Sequence, residues 1–167
     1  IAVASGKGGV GKSSLTVNLA AALAGLGQEV GVIDADVYGH SIPHMLGVKQ
    51  RPVVVDTMIV PPVRGDLKLM SIGFFLDDNA PVMWRGQTKS RTIRQLLSAA
   101  KWGGLDFLLV DLPPGTGDEP TAILKSIPDL DGVIIVTTPQ EVSTLVCSKA
   151  INASLTLGAK VLGLIEN

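Results

Sequence analysis

Cysteine, aromatic rings and charge are all scarce in this chain. Cys147 is the single cysteine in 167 residues. An internal disulfide is excluded, and a reducing compartment, the cytoplasm, is expected. One thiol is not a metal site, and its neighbours Val142, Leu145 and Val146 predict that it packs on a helix as a small hydrophobe. Aromatics are 4% and charged residues 17%, against 46% hydrophobic. Val, Ile, Leu and Ala must therefore fill the core, which suits a parallel sheet covered on both faces. No apolar run approaches the ~20 residues that cross a bilayer, and no secretory signal is seen. The formal net charge of −1 offers no general attraction to nucleic acid or acidic membranes, so neither partner is expected. The local exception is Arg85, Lys89, Arg91, Arg94 and Lys101, with no acidic residue from Asn79 to Leu105. A solvated helix face is favoured there over a binding patch.

What the chain does contain is glycine in a telling place. Residues 6 to 13 read Gly-Lys-Gly-Gly-Val-Gly-Lys-Ser. Gly6, Gly11, Lys12 and Ser13 meet the pattern G-x-x-x-x-G-K-[ST] of a phosphate-binding loop. Glycines let backbone N–H groups turn inward onto phosphate oxygens. Lys12 is expected to reach the β- and γ-phosphates, and the Ser13 hydroxyl to bind Mg²⁺. The expected nucleotide contacts run from Gly6, Lys7, Gly8, Gly9, Val10 and Gly11 to Lys12, Ser13 and Ser14. Before the loop, Ile1 to Ala4 reads as a buried strand. After it, Leu15, Leu19, Ala22, Leu23 and Leu26 recur at helical spacing, with Gly27 placed to end the helix. Strand, glycine loop and helix aim a helix N-terminus at an anion. Lys7 is an additional lysine that an ordinary loop of this type does not need.

By size this is one domain. It opens directly in a strand, so the domain, residues 1–167, is expected to be incomplete at its N-terminal end. Strands are predicted at Ile1–Ser5, Glu29–Asp34, Leu67–Ile72, Asp106–Asp111, Gly132–Thr138 and Lys160–Glu166. Helices are predicted at Lys12–Leu26, Lys89–Ala100, Glu119–Ser126 and Glu141–Thr156, with Ile93, Leu96, Leu97 and Ala100 forming one stripe. This alternation predicts an α/β fold with a mostly parallel, doubly wound sheet and helices on both faces. Residues 37–66 and 73–88 read as long irregular stretches, of the kind that often carry function.

Three carboxylates fall at predicted strand ends: Asp34, Asp36 just beyond it, and Asp111. Ligands of open α/β sheets bind beyond those carboxyl ends. Asp111 closes an apolar strand, as the Mg²⁺-directed carboxylate of such ATPases does. A turn or helix cap is the alternative for each. Gly115 and Gly117, in Asp111-Leu-Pro-Pro-Gly-Thr-Gly-Asp118, can bring N–H groups to a γ-phosphate, as in a switch released by hydrolysis.

Gly6-Lys7-Gly8-Gly9-Val10-Gly11-Lys12-Ser13 resembles the deviant phosphate loop of the MinD/ParA/nitrogenase-iron-protein class. Within it the likeness is to the Mrp/ApbC-type iron–sulfur cluster carrier ATPases. The supporting segments are Asp34-Ala-Asp36-Val-Tyr-Gly39, Met83-Trp84-Arg85-Gly86, Asp111 to Asp118, Thr137-Thr-Pro-Gln-Glu-Val142 and Gly163-Leu-Ile-Glu-Asn167. The resemblance implies an ATP- and Mg²⁺-dependent homodimer that passes clusters from scaffold proteins to apoproteins. It implies that Lys7 reaches the partner's phosphates, that Asp36 orients the attacking water, and that Asp34 supports Mg²⁺ through water. Asn167 matches an adenine-contacting position, although a strand-end cap explains it nearly as well. His40 stands where the carriers often have proline.

The carriers also place a C-x-x-C pair soon after the segment matching Gly163 to Asn167. That pair falls past Asn167, so cluster ligands cannot be named in these residues, and further elements of the fold are expected beyond them. Two other functions use the same site: a MinD- or ParA-like positioning ATPase, and a nucleotide-dependent scaffold with little turnover.

Overall fold

The computed structural model describes residues 1–75 and 86–167, with side chains throughout except at 86–90 and 141–144. Chain order is β1 (Ala2–Ser5), α1 (Lys12–Gly25), β2 (Val30–Asp34), α2 (Ile42–Met45), β3 (Val53–Val55), β4 (Met58–Val60), β5 (Val63–Arg64) and β6 (Leu67–Ser71). A 3₁₀ turn (Ile72–Phe75), α3 (Gly86–Ala99), β7 (Phe107–Asp111), α4 (Asp118–Leu124), β8 (Val133–Thr137), α5 (Glu141–Thr156) and β9 (Val161–Glu166) follow.

Seven strands make one sheet in the order β5-β6-β2-β7-β1-β8-β9. All neighbours are parallel except β5 and β6. The central strands are continuous apolar runs because both faces are covered. Ala2, Val3, Val32, Ile33, Leu109 and Ile135 are completely buried. Ile93 and Leu96 of α3 and Ala100 just beyond it are buried, while Arg91 and Arg94 of α3 and Lys101 after it are exposed. Arg91 and Arg94 are thus on a solvated helix face, as expected. Arg85 and residues 83–84 of the Met-Trp-Arg-Gly segment lie outside the described residues.

One expectation is corrected. Residues 37–66 are not simply irregular. They hold α2, an antiparallel ribbon of β3 and β4, and the edge strand β5. These elements are only two to four residues long, too short for periodicity to reveal. The helix after the loop forms as its spacing predicts. Leu15, Leu19 and Leu23 are half-buried and pack against the core, while Leu26 is 76% exposed. Lys12, Thr16 and Ala20 are the fully buried side chains of α1. Gly27, at φ +83°, ends the helix as expected.

Candidate functional site

The loop between β1 and α1 stands where the carboxyl ends of the central strands converge. Val3 of β1 is in register with Asp111 of β7, and Asp111 with Asp34 of β2. This registry sets Asp111 beside the loop and Asp34 one strand further out. Gly11 caps α1 in the left-handed region at φ +85°, and no side chain caps the helix. A Cβ on Gly11 would run into the Asn167 amide. A Cβ on Gly6 would lie 2.5 Å from the Val146 carbonyl oxygen, so α5 also requires glycine there.

The loop borders an open cleft of about 390 Å³. Lys7, Gly8, Gly9, Gly11, Lys12, Ser13, Ser14 and Asp36 line it, together with Ser5, Gly39, Ser41, Met45 and Pro114. Gly6 and Val10 support the loop from behind. Val10 is buried with Val3 and Val136. The sequence signal therefore found most of the lining. It did not include Ser5, Gly39, Ser41, Met45 or Pro114, because strand-end, loop and one-turn helix residues carry no periodicity to mark them.

Under the cleft lies a buried polar cluster around Asp111. Lys12 Nζ is 2.8 Å from Asp111 Oδ2, and the Ser13 hydroxyl donates to the same oxygen at 2.6 Å. Thr16 Oγ1 lies 2.8 Å from Asp111 Oδ1. Thr16 carried no sequence signal beyond its place one turn after Lys12. Asp34 is fully buried. Its carboxylate accepts from the Ile42 and Asp36 backbone N–H groups and from the Ser71 hydroxyl, at 3.2 to 3.3 Å. Burial pushes the Asp34 carboxyl up to about 7. The neighbouring Asp111 adds to that rise, while the two backbone N–H donors and Lys12 oppose it. Asp36 Oδ1 accepts from the N–H groups of Tyr38 and Gly39, at 3.1 and 2.9 Å, which turns the segment after β2 back over the cleft.

The remaining expected residues sit at the edges. Lys7 Nζ donates to Gln140 Oε1 at 2.7 Å, within its own chain. Gly115, at φ +100°, donates its N–H to the Ser5 carbonyl at 2.9 Å. Asn167 Nδ2 donates to the Val10 carbonyl at 3.1 Å. His40 is exposed near the Val37 carbonyl and packs over Gly73.

Ser13 and Asp111 present only oxygen donors, the chemistry that suits Mg²⁺. Among the described residues no group of three His, Cys, Asp or Glu side chains is placed to hold a metal ion by itself. A site completed by phosphate oxygens and water fits that donor set. An iron–sulfur cluster does not fit here: Cys147 is alone and buried on α5, and burial pushes its thiol up.

Relatives share this sequence and fold. The chain is 55% identical over 170 residues to an iron-sulfur cluster carrier protein of Methanocaldococcus jannaschii, matching 100% of this chain and 59% of that protein. It is 48% identical over 165 residues to one of Mycobacterium leprae, matching 99% and 43%. A nucleotide-binding protein of Archaeoglobus fulgidus, solved in complex with ADP, superposes with a TM-score of 0.84 and 40% identity over 99% of this chain and 65% of that one. The chain thus spans about half the length of these carrier proteins. A family model, ParA, described as NUBPL iron-transfer P-loop NTPase, matches residues 1–167, and the chain belongs to that family.

Proposed function

We propose that these 167 residues are the single nucleotide-binding domain of an iron–sulfur cluster carrier, and that they bind and hydrolyse ATP. The observation that carries this reading is the convergence of Lys12, Ser13 and Asp111 beneath a glycine-lined cleft, at 2.6 to 2.8 Å. The ADP in the Archaeoglobus relative and the carrier names of the longer relatives point the same way.

The nucleotide's phosphates lie on the N–H groups of Gly8 to Ser14, at the N-terminus of α1. Lys12 leaves Asp111 for the phosphates. Ser13 and Asp111 would hold Mg²⁺, with Asp34 supporting it through water. When bound, the ion would supply positive charge to the phosphate oxygens. Asp36 orients the attacking water, and Gly115 approaches the γ-phosphate. Asn167 contacts the adenine. Lys7 exchanges Gln140 for the phosphates of a second subunit, as an arginine finger does, so the working form is a homodimer. The cluster is cargo, held by cysteines outside this stretch and passed from scaffold proteins to apoproteins in the cytoplasm. Neither membrane nor nucleic acid is needed as a partner.

Calorimetry with ATP and Mg²⁺ tests the site. Asp36→Ala is expected to leave binding intact, slow hydrolysis and accumulate the ATP-bound dimer. Unchanged turnover in that variant removes Asp36 from the reaction. Anaerobic reconstitution of the longer protein with iron and sulfide, followed by visible absorbance, tests the carrier role. A protein that turns over ATP yet takes up no cluster favours a positioning ATPase instead.

A further inference from the structure

Thr16 has no assigned role, yet it is completely buried against the most important carboxylate of the site. Lys12, Thr16 and Ala20 form the face of α1 turned to the sheet. A hydroxyl at position 16 is not required for burial, since Ala20 fills the same face one turn later with a methyl group. The Thr16 Oγ1 has one proton and two acceptors in range, the Lys12 carbonyl at 3.0 Å and Asp111 Oδ1 at 2.8 Å. The carboxylate is the shorter and the charged acceptor, so it takes the proton.

This divides the two oxygens of Asp111. Oδ1 faces Thr16, and Oδ2 faces Lys12 and Ser13. The terminal torsion of an aspartate is broad and roughly two-fold, so the backbone alone does not fix the carboxylate plane. Both Lys12 and Ser13 are expected to change partners when nucleotide and Mg²⁺ arrive. Thr16 is the one side chain of the three that has no other work in the site, so nothing in the exchange requires it to give up its bond.

We infer that Thr16 is a positioning residue for Mg²⁺: its hydroxyl pins Asp111 Oδ1 so that Oδ2 stays aimed at the ion position beside Ser13. The inference rests on the reading that Ser13 and Asp111 hold Mg²⁺. Outer hydrogen-bond partners of metal ligands are worth roughly 10- to 100-fold in metal affinity.

The test measures ADP binding by calorimetry in EDTA, and then Mg²⁺ affinity by titration at saturating ADP, in the full-length protein. Thr16→Val keeps the shape and removes the donor. It is expected to leave ADP affinity in EDTA unchanged and to weaken Mg²⁺ by roughly 10- to 100-fold. Thr16→Ser restores the donor and is expected to restore the ion. A merely structural role would lower both affinities together, or the melting temperature alone. If Thr16→Val does not fold, Thr16→Ala is judged by the same comparison. A Mg²⁺ affinity equal to wild type in the valine or alanine variant overturns the inference, as does a serine variant as impaired as the valine. Wild-type protein whose ADP binding ignores Mg²⁺ removes the proposed metal site as well. Wild-type dependence with an unchanged variant removes only the role of Thr16.

Discussion

Lys12 and Asp111 form a buried ion pair with Nζ 2.8 Å from Oδ2 and only 7% and 0% of their side chains exposed. Each is the other's counter-charge before ligand arrives. A phosphate that takes Lys12 leaves Asp111 without compensation unless a cation replaces the ammonium. Phosphate and Mg²⁺ are therefore expected to bind with positive coupling, by the reciprocity that linkage requires.

Lys12→Ala removes both the phosphate ligand and the partner of a buried carboxylate. Nucleotide binding is expected to vanish in calorimetry. Breaking a buried pair by deleting one member costs about 3–5 kcal/mol, so the apoprotein should also melt at a clearly lower temperature. Retained ATP binding in a folded Lys12→Ala protein would remove the loop from the site.

Lys7 is different, because its bond to Gln140 is at the surface and its proposed role is in another subunit. Lys7→Ala is expected to bind ATP normally and to keep its stability. Its turnover should fall by roughly 10³-fold or more, the scale of a finger supplied by a partner. A steady-state assay decides this, and a near-normal rate refutes the cross-subunit role.

Asp34 gives the apoprotein a pH signature. Its carboxyl is raised from 3.8 to about 7 in the fold, chiefly by burial. The folded state then holds a proton that the unfolded chain has released between these values. The stabilisation this provides is complete below pH ~4 and is lost as pH rises through 7. Melting temperatures at pH 5, 6, 7 and 8 should fall more steeply in wild type than in Asp34→Asn. The variant loses an acceptor and has its own baseline, so the difference in slope is the measurement. Parallel slopes would show that Asp34 does not titrate in this window.

The sheet and the loop were legible because their physics is local. β1, the glycines and α1 lie within 27 residues, and each central strand is an apolar run of its own. Asp111 was legible from its place at the end of such a run. The Thr16 contact was not, because its meaning depends on Asp111, 95 residues away. The same holds for the Lys7–Gln140 bond, which spans 133 residues. The ribbon of β3 and β4 escaped because three-residue strands have no period to read. Their Val53, Val54 and Val55 are exposed, so no alternation of apolar and polar residues marks them either.

The bond from Asn167 to the Val10 carbonyl joins residues 157 positions apart. Contacts of such long sequence separation form late, because the intervening chain must first be brought together. A nascent chain that has made the glycine loop and α1 but not β9 therefore has no finished cradle. The backbone around Val10 acquires this brace only after β9 has been synthesised and docked, so the loop matures well after it is translated.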